Sequence, residues 1–355
     1  VEKTNGAEFL APLSNAQSFE AVRRLHSVMM VEEEWTEWDS EGFSWWPFHL
    51  RQRLHLKEVE WRGYKARRLV AETDLFSGSF SQEALAAFCE LQRYPPLSHF
   101  RVERESGKAY LRAHLILAEA WEAEMVARFS VVAILQATFA EFGSEDLATK
   151  FGLELAISQH PRGVERLNPD GLLSLAAAEI APAGKDGSAW SSAEAFEEVS
   201  QILSEAGARV TSSRAGFLSA RLPWPGNPED PFSPRTSPLL QIQFEGAHPE
   251  LLNGAFLRLF LPHALTESLG TPAETALALN AGEMEGTDAP AFGLGAWCLE
   301  QSVPESIELA VRPSAPRLCH VVFIPNYLHG ENVLPLLVED AVLRASWALG
   351  QLERG

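Results

Sequence analysis

The sequence predicts an α+β protein made of two tandem copies of one domain, each an antiparallel sheet flanked by helices. Three observations carry this. Tyr110 to Ala140 aligns without gaps on Leu318 to Ala348 at a constant offset of 208 residues, and the apolar positions coincide more often than the identities. A second landmark recurs upstream, where SFEAV at 18–22 returns as AFEEV at 195–199, an offset of 177. The order of elements between the landmarks is the same in both copies. The offsets differ by 31 residues, which places an insertion in the second copy.

The elements follow in order. Residues 1–14 read as a loose arm. A helix runs from about Ala16 to Glu34 behind Asn15 as N-cap, with Phe19, Val22, Leu25, Met29 and Met30 on its apolar side. Phe43 to Lys57 alternates as one strand bent near Pro47, with Trp46, Phe48, Leu50, Leu54 and Leu56 on one face and Trp45, His49, Arg51, Arg53, His55 and Lys57 on the other. Tyr64 to Thr73 returns beyond a turn at Gly63. Gln82 to Leu91 has the spacing of a short helix, and His99–Arg104 with Lys108–Leu117 forms a hairpin. The closing helix aligns Met125, Phe129, Leu135 and Phe139 on one face, matched by Val333, Leu337, Leu343 and Trp347 in the second copy. Acidic residues Glu122 and Glu124, and Glu331 in the second copy, suit the positive end of a helix dipole.

The first domain is expected over 15–150 and the second over 191–355. The linker at 151–190 carries possible added strands at Gly152–Ser158 and Asp170–Ile180, then a turn-rich stretch at Pro182–Ser188. In the second copy the helix opens at Ser191 or Ser192. Strands are expected at Gly216–Trp224, Leu239–Phe244, Ala255–Leu261, Phe292–Glu300, Ser306–Val311 and Arg317–Pro325, and helices at Pro272–Asn280 and Asn332–Leu349. The proline-rich run at 225–237 reads as a long exposed loop.

Composition narrows the function. With 355 residues and 46% apolar content the chain is long enough for two or three packed cores. A net charge of -19 argues against a general nucleic-acid binder, which needs a basic surface to displace counterions. Three cysteines, Cys89, Cys298 and Cys319, without a CxxC motif, fit a reducing compartment. No leader pattern opens the chain, which begins without Met, and no apolar run reaches the ~18 residues of a membrane span. The expectation is a cytoplasmic protein with no membrane partner.

The element order resembles the fold shared by type III secretion chaperones and the YbjN family of bacterial proteins. The point of closest likeness is Leu318 to Pro325 passing through Leu328-His329-Gly330 into a helix bearing Val333, Leu337 and Trp347. The resemblance implies small, acidic, cytosolic domains, and the chaperones bind unfolded or peptide segments of a partner without performing chemistry. A tandem in one chain is similar to their homodimer made covalent. The insertion at 225–237 departs from the pattern.

Among candidate sites, the basic stripe stands out. Between 43 and 72 there are seven Lys or Arg against three acids, beside Trp45, Trp61 and Tyr64. Trp45, Arg51, Arg53, His55, Trp61, Tyr64 and Arg68 are the candidate partner-binding residues. Cations interleaved with aromatics suit an acidic peptide, a phosphate or single-stranded nucleic acid. The competing reading is a solvated sheet face, or one paired with acids such as Glu245 and Glu250. Trp35, Trp38, Trp45 and Trp46 line a groove for apolar side chains, or else fill the junction of the first helix and strand.

Catalytic signals are weak. His49 and His55 sit roughly 20 Å apart on a strand, too far to share an ion. GxSxG, HExxH and complete phosphate-loop motifs are missing, and Cys89 and Cys319 sit in core patterns. No catalytic residue, metal or cofactor is assigned. The expected function is a non-enzymatic polypeptide-binding module, chaperone- or adaptor-like, capturing a protein or peptide segment on a sheet face or edge, with self-association possible. The alternative is a small-ligand sensor or enzyme with a pocket between the copies.

Overall fold

A computed structural model describes residues 12–92, 97–163, 166–174, 187–214, 216–224, 226–233, 235–248, 251–262, 265, 272–300, 317–330 and 332–354. The protein is α+β, with two antiparallel sheets. It divides into two compact units, neither contiguous in sequence. One comprises Val1–Ser81, Pro95–Glu179 and Met284–Leu294, the other Gln82–Tyr94, Ile180–Glu283 and Gly295–Gly355.

In the first unit, α1 (Asn15–Met29) is capped by Ser14, whose hydroxyl accepts from Gln17 N–H while the Gln17 side chain accepts from Ser14 N–H. The cap sits one residue before Asn15, and the helix stops earlier than expected because Met30 turns left-handed at φ 52°. The last residues of the arm are tied down: Pro12 bridges Ala118, and Leu13 N–H donates to Leu117. Residues 1–11 lie outside the described part.

The expected bent strand at 43–57 is instead a hairpin. Strands β1 (Thr36–Trp38), β2 (Gly42–Trp45) and β3 (Gln52–Trp61) run antiparallel, with Trp45 opposite Gln52 and Gly42 opposite His55. Pro47 cannot continue the hydrogen-bond ladder, so the chain reverses over 46–51. Gly42 is needed for the close pass of β2 over β3, since a Cβ there would lie 2.0 Å from the Leu54 carbonyl oxygen. Arg62 and Gly63, both at positive φ, make the two-residue turn into β4 (Tyr64–Ser77).

Helix α2 (Gln82–Leu91) belongs to the second unit. The first resumes with β5 (His99–Glu103), β6 (Lys108–Ile116), helix α3 (Glu122–Phe151) and β7 (Glu154–Leu155). Its sheet runs β1-β2-β3-β4-β6, with β5 and β12 (Phe292–Gly293) sharing the far edge of β6 and β7 on β4. Residues 284–294 are bound in firmly: Trp61 Nε1 donates to Ala289 O at 3.0 Å, and Ile116 N–H donates to Ala291 O at 2.8 Å. Helix α3 is long and apolar enough to cross a membrane, but 61% of its apolar window is buried. Met125, Phe129 and Leu135 are buried as the helical spacing predicts, and each such burial contributes roughly 1.5–3 kcal/mol.

In the second unit Ser192 caps α4 (Ala193–Glu205) through Ala195 N–H at 3.0 Å. Strands β8 (Arg209–Arg214), β9 (Phe217–Arg221), β10 (Leu239–His248), β11 (Leu252–Phe260), β13 (Ala296–Glu300) and β14 (Arg317–Pro325) form a sheet ordered β13-β14-β11-β10-β9-β8. That order repeats the first sheet strand for strand, with β8 in the place of β1 and β14 in the place of β6. Helices α5 (Pro272–Glu285) and α6 (Val333–Arg354) complete it, and α2 packs on β13.

Other expectations are corrected. Phe292–Glu300 is two strands, broken where Gly295 takes φ 83°. Residues 171–174 are helical, so no strand begins at Asp170, and Gly152–Ser158 shrinks to the two residues of β7. Leu343, placed on the apolar face, is 41% exposed. Ser306–Val311 and Glu331 lie outside the described residues.

Candidate functional site

Arg51 and Arg53 of the basic stripe are paired within their own unit, with acids of the β1–β2 turn and of β4. Arg53 reaches Asp39 at 2.9 Å and Glu41 at 2.7 Å, and Arg51 pairs with Asp74 at 3.0 Å. Burial pushes the Asp74 carboxyl up, opposed by Arg51. Arg112 of β6 joins Glu72 and donates to Tyr110, whose hydroxyl donates to Glu103 at 2.5 Å. Burial pushes the Tyr110 hydroxyl up.

The remaining stripe residues scatter. Trp45, Trp61 and Arg68 are fully buried, and the Arg68 guanidinium lies 3.8 Å from Met284 Sδ. His55 is buried, which lowers its pKa. Tyr64 alone of the seven is exposed, at 51%. Glu245 accepts from Ser191 at 2.7 Å, and Glu250 lies outside the described residues.

The four clustered tryptophans split between their two readings. Trp38 packs on His26 and Phe43, at the junction of α1 and the first strands, and Trp45 is core. Trp35 and Trp46 instead wall a pocket of about 260 Å³ with Phe48, His49, Ile157, Ser158, Gln159, His160 and Arg166.

This pocket is built where the β2–β3 turn meets the chain leaving α3. Strand β7 pairs with the end of β4 and delivers residues 157–160 to the turn, where Ser158 N–H donates to His49 O at 3.1 Å and Asp170 N–H to Pro47 O at 2.7 Å. The His160 ring stands edge-on to Trp46 at 4.8 Å and to Trp35 at 5.3 Å. Arg166 lies 5.1 Å over the Trp35 ring and is held by Trp46 O at 2.9 Å, Asn168 O at 3.0 Å, Glu32 at 2.9 Å and Asp170 at 3.4 Å.

Two polar atoms on residues that line the pocket are buried out of reach of solvent and have no partner. Trp46 is 4% exposed and its Nε1–H meets no acceptor; His160 is 5% exposed and its Nε2 is likewise unpaired. His160 Nδ1 accepts from Arg162 N–H at 3.3 Å, which puts the proton of the neutral ring on Nε2. Loss of solvation, then the Arg162 charge, lowers the pKa of this ring and keeps it neutral. Buried donors of this kind cost about 1–3 kcal/mol unless something accepts from them.

The floor of the turn rests on Glu141 of α3. Its carboxylate accepts from Leu50 N–H at 2.8 Å and from the N–H groups of His49 and Phe48. Burial outweighs these bonds and raises its pKa to about 7.

Trp35 and Trp46 were visible in the sequence as part of a tryptophan cluster. His160, Ile157 and Arg166 were not, because they fall in the segment expected to be linker, and residues 166–170 form no helix or strand whose periodicity could have marked them. Among the described residues no group of three or more His, Cys, Asp or Glu is arranged to hold a metal ion. No protein family, curated protein or solved structure matches the chain.

Proposed function

We propose that this protein is a non-enzymatic polypeptide-binding module, chaperone- or adaptor-like, which takes part of a partner's chain into the pocket of Trp35, Trp46 and His160. One observation carries the reading: Trp35, Trp46, Phe48 and His160 wall a pocket of about 260 Å³ with aromatic rings, and Ile157 stands exposed at its rim. Aromatic walls with a few placed polar groups suit side-chain recognition, and the pocket's volume of about 260 Å³ lies below the usual range of cofactor and drug-sized sites. The repeated sheet topology agrees with a type III secretion chaperone-like or YbjN-like tandem, and three free, buried cysteines agree with a cytoplasmic setting.

Selection of a random peptide library against the full chain tests it. Enriched peptides should lose binding to Ile157→Arg, a change at the exposed rim of the pocket. A library that yields no enriched sequence, or peptides indifferent to Ile157→Arg, would overturn the reading.

A further inference from the structure

We infer that β8 of the second unit is a docking edge for an extended partner segment in which acidic and apolar residues alternate. Strand β8 (Arg209–Arg214) ends its sheet, and among the described residues no backbone hydrogen bond reaches its outer side. Alternate N–H and C=O groups there are open to one more strand. The edge shares no residue with the aromatic pocket of the first unit. Its register gives the two faces different characters. Arg209 lies opposite Arg221 and Arg214 opposite Phe217, and these two β9 residues, four apart, share a face. The bulge between Val210 and Ser212 absorbs the odd residue, so both arginines stand on that face.

Charge chooses the occupant. Arg209 and Arg214 are exposed, β8 has no acid, and neither arginine is paired with a carboxylate among the described residues, in a chain of net charge -19. The other face carries Val210, 45% exposed, and Ser213, opposite the buried Ala220 and Leu218. On that side Phe196 of α4 and Phe244 of β10, with ring centroids 5.7 Å apart, wall a cavity of about 480 Å³ together with Ser213 and Glu197. Apolar side chains of an added strand fit there, where Glu197 repels an acid, and carboxylates fit the arginine face. Because side chains alternate between faces along a strand, the occupant's acidic and apolar residues alternate too. A second β8 is a poor occupant: full antiparallel self-pairing sets Arg209 against Arg214 of the other copy, and like charges directly opposite destabilise a pair.

Calorimetry of the full chain with the synthetic octapeptide (Glu-Val)4 tests this. It should bind saturably, and the block peptide Glu-Glu-Val-Val-Glu-Glu-Val-Val, equal in charge and composition, should bind about tenfold more weakly. Arg209→Glu with Arg214→Glu, both at exposed positions, should weaken (Glu-Val)4 by about tenfold, as two exposed ion pairs become repulsions. Ile157→Arg, at the aromatic pocket, should leave its binding unchanged. (Glu-Val)4 N-methylated at every residue keeps its side chains and loses its backbone donors, and it should not bind. Absence of (Glu-Val)4 binding, equal affinity for the block peptide, indifference to the double arginine variant, loss of binding in Ile157→Arg, or retention of the N-methylated peptide each overturns the assignment of β8.

Discussion

Gln136 and Arg344 stand 208 residues apart, at the same position of the repeat, and each is the hub of a buried polar network in its own unit. The Gln136 amide joins Gln52 at 3.1 Å, Thr73 at 3.0 Å and Ser98 at 3.2 Å. Arg344 reaches Glu283 at 2.8 Å and Asp340 at 2.9 Å, and Trp297 Nε1 donates to the same Glu283 oxygen at 2.8 Å. Burial opposes the Arg344 charge, but Glu283 and Asp340 outweigh it. The two units thus place a polar hub at matching positions, built from neutral amides and hydroxyls in one and from ions in the other.

Arg344→Gln, which writes the first copy's residue into the second, should therefore destabilise the protein by roughly 3–5 kcal/mol, since two buried carboxylates lose their cation. Adding Glu283→Gln and Asp340→Asn should recover most of the loss. Denaturant unfolding measures both; a single substitution costing under about 1 kcal/mol would contradict the network.

Glu141 gives the stability a definite pH dependence. Its folded pKa, about 7, is raised above the ordinary 4.5, so the native state holds this proton more tightly than the unfolded chain does. Its contribution is fully present below pH 4.5 and is lost as pH rises through about 7, on the order of 3 kcal/mol in all. Glu141→Gln should flatten that part of the profile of unfolding free energy against pH. An unchanged profile would show that the carboxyl titrates normally.

The two ends of the charged face should differ. Arg53, with Asp39 and Glu41 in partly exposed pairs, should lose under about 1 kcal/mol on change to Ala. Arg112, only 7% exposed and shared by Glu72 and Tyr110, should lose roughly 2–3 kcal/mol. Peptide binding at the aromatic pocket should be untouched by Arg51→Ala with Arg53→Ala, and calorimetry of that double variant would expose any role of the stripe.

The cysteines should be inert in the native protein. All three are buried and free, and burial pushes the Cys89 thiol up to about 11 and raises Cys319 as well. A disulfide reagent at pH 8 should label none of them until denaturant is added, then three. Rapid labelling of the native chain would mean that the β13–β14 region opens.

The repeat was legible because apolar spacing survives where identity does not: α2 and β14 lie where the sequence placed them, and Met125, Phe129, Val333 and Leu337 are buried. What escaped were the edge strands. β1 and β8 occupy equivalent places, and RVTSSR in β8 has no apolar face for periodicity to reveal. The stripe misled for a related reason. Linear alternation through Pro47 counted His49 and Arg51 with Arg53 and His55, whereas the chain turns over there. Asp39, Glu41 and Asp74, which pair with Arg53 and Arg51, approach only through strand pairing. The pocket was half legible, its tryptophans in a conspicuous cluster and its histidine in a segment without pattern.

The placement of residues 82–94 and 284–294 bears on how the protein is made. Each unit is finished with a segment drawn from the other half of the chain, so no truncation leaves one unit whole without part of the other. A ribosome completes the first unit only after reading past Leu294. Until then Trp61 Nε1 and the β6 edge at residues 114–116 wait for the partners that residues 289–293 supply.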